Sequence, residues 1–146
     1  MGTEFLSGDA ALADFLARFE DGTWPVADFH HTHHLAIAAC YVGEGGHPGG
    51  DPMDRLRARI RHYNVCQGGE NTEDRGYHET ITRFWVEVVS RFTASLPAGL
   101  PRIEVARRVV EEFVSRRDLF REYYDFDVVK SREARAVWIE PLRAPP

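Results

Sequence analysis

Apolar residues recur at three- and four-residue intervals along most of this chain, and Gly and Pro cut the pattern into segments of helical length. The first segment, from about Gly8 to Glu20, puts Leu12, Phe15, Leu16 and Phe19 on one stripe and stops at Asp21-Gly22, ahead of Trp24-Pro25. A second helix is expected behind Asp28 as N-cap, running through Leu35, Ala38, Ala39 and Val42 to a C-terminal Gly43, where a Gly- and Pro-rich loop leads to Gly50. Asp51-Pro52 couples an N-cap to a proline at the first helical position, opening a third helix with Met53, Leu56, Ile60 and Tyr63 on one face and an end near Gly68-Gly69. The fourth begins around Gly76 or Tyr77 and carries the clearest stripe, Ile81, Phe84, Trp85, Val88 and Phe92, before Pro97. A fifth follows Pro101 through Ile103, Val109, Val110 and Phe113, and Asp118 to Tyr124 either continues it or forms a separate short helix. Ser131 caps a last short helix that includes Trp138 and ends before Pro141.

No segment alternates between Gly-rich hairpin turns and no fixed-period repeat is present, so the fold class is all-α. The expectation is a compact bundle of about five helices plus a short C-terminal helix, orthogonal or up-and-down, with functional groups between helices. A length of 146 residues suits one domain, read as residues 6–146. Residues 1–5 are set aside, because Gly2-Thr3-Glu4-Phe5 is what two adjacent cloning sites encode. With 43% apolar residues, burial can offset chain entropy and global disorder is excluded. Eighteen basic against 23 acidic residues give a net charge of −5, which argues against a nucleic-acid partner. No run approaches the roughly 20 apolar residues of a membrane span, and no secretory start is present, so the chain reads as cytoplasmic. Cys40 and Cys66 lie apart and are expected as buried, reduced thiols.

The unusual chemistry lies in His and Arg: four of seven histidines fall within five positions (His30, His31, His33, His34), and Lys130 is the only lysine beside 17 arginines. At about 100° per residue, His31 and His34 share the stripe of Leu35, Ala38 and Val42, whereas His30 and His33 point to the flank or the opposite side and are read as surface. A pair spaced i, i+3 on an inward face can converge on a substrate or a metal. In Tyr77-His78-Glu79-Thr80-Ile81-Thr82-Arg83, polar side chains crowd a helix start, with His78 nearer the apolar stripe than Glu79. The bland reading of Glu79 is an exposed i, i+4 pair with Arg83, worth a few tenths of a kcal/mol. Glu79 nevertheless stays a candidate, because first-turn side chains can reach around a helix end. Asn64 shares a face with Met53, Ile60 and Tyr63, and there either orders a ligand or caps a neighbouring helix. Arg57, nearest the apolar edge of its helix, is placed to meet an anion.

The motifs His31-x-x-His34-Leu35 and Tyr77-His78-Glu79-Thr80-x-Thr82-Arg83, with Asn64 between them, resemble a family of small bacterial all-helical proteins over roughly residues 12 to 95. The resemblance implies that His31, His34, Asn64, Tyr77, His78, Glu79 and Arg83 belong together and points toward natural-product biosynthesis. It departs from metal-dependent bundles of the DinB type, whose later histidines are spaced HxxxH, so no zinc is carried over.

Three functions are consistent with these residues. The leading one is a cofactor-free, small-molecule enzyme in which His31, His34, His78 and Glu79 perform acid–base catalysis. Asn64, Tyr77, Arg83, Tyr63 and Trp85, with Trp24 and Phe29 nearby, would bind an aromatic or anionic substrate. A carbonyl–amine condensation with ring closure, as in a Pictet–Spengler reaction, is one concrete version. The second is a metal enzyme with His31, His34 and His78, joined or not by Glu79, on Zn²⁺ or non-haem Fe²⁺. The third is a non-catalytic ligand- or protein-binding domain. Homo-oligomerisation is compatible with all three.

Overall fold

The computed structural model describes residues 2–44 and 51–146. Six α-helices are present and no strand occurs among the described residues: α1 Asp9–Glu20, α2 His31–Glu44, α3 Pro52–Cys66, α4 Glu79–Ala94, α5 Arg102–Phe113 and α6 Arg132–Ala136. Most of the Gly- and Pro-rich loop after α2 lies outside the described residues. None of the helices is long and apolar enough to cross a membrane.

The centre of the bundle is α2. Its residues from Leu35 to Tyr41 are buried without a break, Leu35, Ala36, Ile37, Ala38, Ala39, Cys40 and Tyr41 in succession. A helix apolar on every side must be enclosed, and α2 is packed against α5, α4 and α3. Its alanines give those neighbours room to approach. By contrast α4 and α5 bury one stripe each, Phe84, Val88 and Val89 on α4 and Ile103, Ala106, Val109, Val110 and Phe113 on α5.

Local capping sets where the helices begin. The Asp51 carboxylate accepts from the Met53 amide at 2.7 Å ahead of Pro52, and the Ser131 hydroxyl accepts from the Ala134 amide at 3.0 Å, as their positions in the sequence suggest. Two starts differ from expectation. Asp28 does not cap α2: Val26–Asp28 forms a 3-10 turn, Phe29 is extended, and the helix opens one residue after His30. There the Nδ1 of His33, at the third helical position, accepts from the His30 amide at 3.1 Å, an imidazole version of the carboxylate half of a capping box. The fourth helix starts at Glu79, later than Gly76 or Tyr77, because the His78 ring takes the cap.

Other corrections follow from packing. His33 is not on the surface but 3% exposed, with its ring stacked on Phe5 at 4.1 Å and set against Phe15 and Trp24. The N-terminal 3-10 turn Glu4–Leu6, α1 and the segment after it supply those rings, covering a face of α2 that a lone helix would leave open. Phe5 is thereby part of the core. His30 is exposed, as expected. Leu119–Tyr123 is a separate 3-10 helix, and Trp138 lies beyond the end of α6. Cys40 is buried, but Cys66 is exposed and 3.4 Å from His62 Nε2.

Candidate functional site

A hollow of about 640 Å³ lies between the N-terminal half of α2, the inner face of α3, the start of α4 and the segment after α5. That volume suits a small organic ligand. Its walls include His31, His34, Asn64, Tyr77, His78 and Trp85, residues far apart in the chain that the sequence singles out. Tyr63, Glu79 and Arg83 are not among its lining residues.

His34 is the most open of these groups. Its surface is exposed, because the ring faces the hollow and meets solvent through it. One face stacks on Phe29 with centroids 4.3 Å apart. Neither ring nitrogen has a hydrogen-bond partner among the described residues. Desolvation, helped by the nearby His31, His33 and Arg117, pushes its pKa down to about 4, so the imidazole is neutral at pH 7.

His31 is half-buried, one turn earlier. Its Nε2 donates to the Phe113 carbonyl at the end of α5 at 3.2 Å, and its ring meets Trp85 edge-on at 5.0 Å. That carbonyl also accepts from the Arg116 amide at 3.0 Å, so the ring takes its second acceptor site. The ring's bond fixes the tautomer and leaves the Nδ1 lone pair without a partner among the described residues. Burial lowers its pKa, opposed by the Phe113 carbonyl.

His78 is differently employed. Its Nδ1 accepts from the Ile81 amide at 3.2 Å and its Nε2 donates to the Val128 carbonyl at 2.8 Å, so both nitrogens are occupied by backbone. Burial lowers its pKa as well. The rest of that motif ties α4 to its surroundings. Glu79 receives two hydrogen bonds of 2.8 Å from Arg57 on α3 and one of 2.7 Å from the Tyr77 hydroxyl. The Arg57 guanidinium holds the Glu79 carboxyl below its ordinary value, and Arg57 itself is raised. Thr80, wholly buried, donates to the Val137 carbonyl at 2.8 Å and accepts from the Ile139 amide at 3.1 Å.

The other expected substrate residues divide. Arg83 pairs loosely with Glu87 at 3.5 Å and lies 4.6 Å over the Trp138 ring, away from the hollow. The expected Glu79–Arg83 pair does not form, since Arg57 takes the carboxylate. Tyr63 is buried behind Phe29 and donates its hydroxyl to the Trp24 carbonyl. Asn64 donates through Nδ2 to the Asn71 side-chain oxygen at 2.9 Å. That same oxygen accepts from the Tyr77 amide at 3.0 Å, so it cannot be the Asn71 nitrogen, and Asn64 must present its own nitrogen. The Asn64 amide oxygen is therefore left without a partner among the described residues, on a residue that lines the hollow.

His31, His34 and His78 do not assemble as a ligand set: among the described residues no three His, Cys, Asp or Glu side chains stand where they could share a metal ion. The sequence reading also missed part of the wall. Arg117, Asp118, Phe120 and Arg121 form one edge of the hollow. The signal available was the charged run Arg116-Arg117-Asp118 directly after a helix end, where backbone carbonyls and side-chain charges collect. Compared with protein-family models, with curated proteins and with solved structures, the chain matches none.

Proposed function

We propose that this protein is a small-molecule enzyme in which His34 acts as general base on a flat substrate held in the hollow between α2, α3 and α4. The observation that carries this reading is an imidazole stacked on Phe29, open to a ligand-sized hollow and free of hydrogen bonds among the described residues. Stacking holds the ring while its nitrogens make no hydrogen bond among the described residues, which leaves them available to a ligand in the hollow. Its lowered pKa keeps it unprotonated at neutral pH, the form that can take a proton, though as a weaker base than a free imidazole. His31, held by the Phe113 carbonyl, adds a second lone pair one turn away. Tyr77, Trp85 and Phe29 supply aromatic wall, while Glu79 acts at a distance by fixing the Tyr77 hydroxyl.

The concrete reaction is a carbonyl–amine condensation with ring closure. An arylethylamine and an aldehyde lose water to give an iminium, the ring carbon attacks it, and His34 takes the proton from that carbon as aromaticity returns. The test is incubation with tryptamine and a small aldehyde, with the cyclised product read by mass spectrometry. The protein should exceed buffer, and His34→Gln should lower the rate by about 10²-fold or more. Equal rates in protein, variant and buffer would remove the reaction.

One observation favours a second reading, a non-catalytic ligand-binding domain: His78 and Glu79 are committed to structural bonds, which leaves few groups for proton transfer. Under that reading small aromatic molecules bind in the hollow and are released unchanged.

A further inference from the structure

We propose that the ligand of this hollow is an aromatic molecule bearing a single carboxylate, and that Arg117 at its edge binds that carboxylate. The inference rests on the reading of the hollow as a ligand site and adds the class of ligand.

Among the described residues, three formal charges line the hollow, Arg117, Asp118 and Arg121. Arg121 is already engaged: it lies 3.6 Å from Asp118 and 3.7 Å from Asp127 and covers the Phe120 ring at 5.3 Å. Arg116, next to Arg117 in the sequence, is paired with Glu112 at 3.7 Å and rests on Phe113. Arg117 has neither an ion pair nor a hydrogen bond among the described residues, and its charge is felt at both His31 and His34. With the histidines neutral, the wall carries one uncompensated positive charge in a protein whose net charge is −5. A planar guanidinium with free donors is matched by a carboxylate, which it can grip through two hydrogen bonds.

The neighbours of Arg117 narrow the class. Asp118 lines the same edge and offsets Arg121, so the wall offers one net positive charge, which a single carboxylate matches better than a phosphate dianion. The walls are aromatic, with Phe29 stacked on His34 and Trp85 edge-on to His31. The unpartnered amide oxygen of Asn64 can accept an N–H, which suits a nitrogen heterocycle.

Indole-3-acetate has all three features, and its amide lacks only the charge. Calorimetric titration of the protein with indole-3-acetate, indole-3-acetamide and indoxyl phosphate tests the assignment. The acid should bind about tenfold more tightly than the amide, as expected for one charge-assisted contact at a half-open site. Arg117→Gln should remove that preference while leaving the affinity for the amide and the melting temperature unchanged, and Arg116→Gln should keep it. Equal affinity for acid and amide, a preference that survives Arg117→Gln, tighter binding of the phosphate, or no binding of any probe at millimolar concentration would each overturn the proposal. Because no turnover is read, His34→Gln should retain the preference for the acid. Failure of the base is therefore seen in the condensation assay, and failure of Arg117 in this titration.

Discussion

His31, His33 and His34 occupy one turn of α2 and meet three different surroundings. His33 is held neutral among Phe5, Phe15 and Trp24, with burial pushing its pKa down to about 4. His31 gives its proton to a helix end, and His34 keeps both nitrogens open. The buried neutral state has a consequence for stability. Between about pH 6.5 and 4 the unfolded chain binds a proton at position 33 that the folded chain does not, so stability is complete above the ordinary value of 6.5 and falls as pH drops toward 4. For a ring this buried the loss is on the order of 3 kcal/mol. Urea unfolding across that range should show the decline, and His33→Phe, which keeps the stack on Phe5, should make it shallower. The same slope in both proteins would mean that His33 does not titrate in this window.

At the level of elements, the start of α4 is where the chain is fastened. His78 caps the helix and reaches Val128, while Glu79 and Tyr77 bind it to Arg57 on α3. His78→Ala should cost about 2 kcal/mol by equilibrium unfolding, and His78→Asn, which can still cap, should recover roughly half. Glu79→Gln should cost about 2 kcal/mol, less than a fully buried pair because Arg57 is part-exposed and keeps Asp54 at 2.8 Å. Since the Glu79 carboxyl is held below its ordinary 4.5, its contribution is present above that pH and is lost as pH falls below it.

Helix periodicity and the caps at Asp51 and Ser131 made the elements legible in the sequence, as did the shared face of His31 and His34. What could not be read there depended on partners from elsewhere in the chain. Glu79 chose Arg57, 22 residues away, over Arg83 one turn ahead. His33 was buried by residues preceding its helix, and Arg117 was brought to the hollow by the segment after α5.

For the whole molecule, enclosure of the apolar α2 leaves one side of its N-terminal turn, His31 and His34, facing a hollow instead of a packed core. Ala38 contributes to this: it is 3% exposed and lines the space one turn beyond His34. Ala38→Leu should extend into the hollow with a stability change within about 1–2 kcal/mol while weakening indole-3-acetate binding, which thermal unfolding and calorimetry would separate. The central claim, that His34 is a neutral, unpartnered base open to a ligand, is tested most directly by a ring-nitrogen NMR pH titration, with the His34 signals assigned by their loss in His34→Gln. The imidazole should be neutral at pH 7 with a midpoint near 4 and should shift when indole-3-acetate is added. A midpoint at or above 6.5, or His34 signals indifferent to that probe, would contradict it.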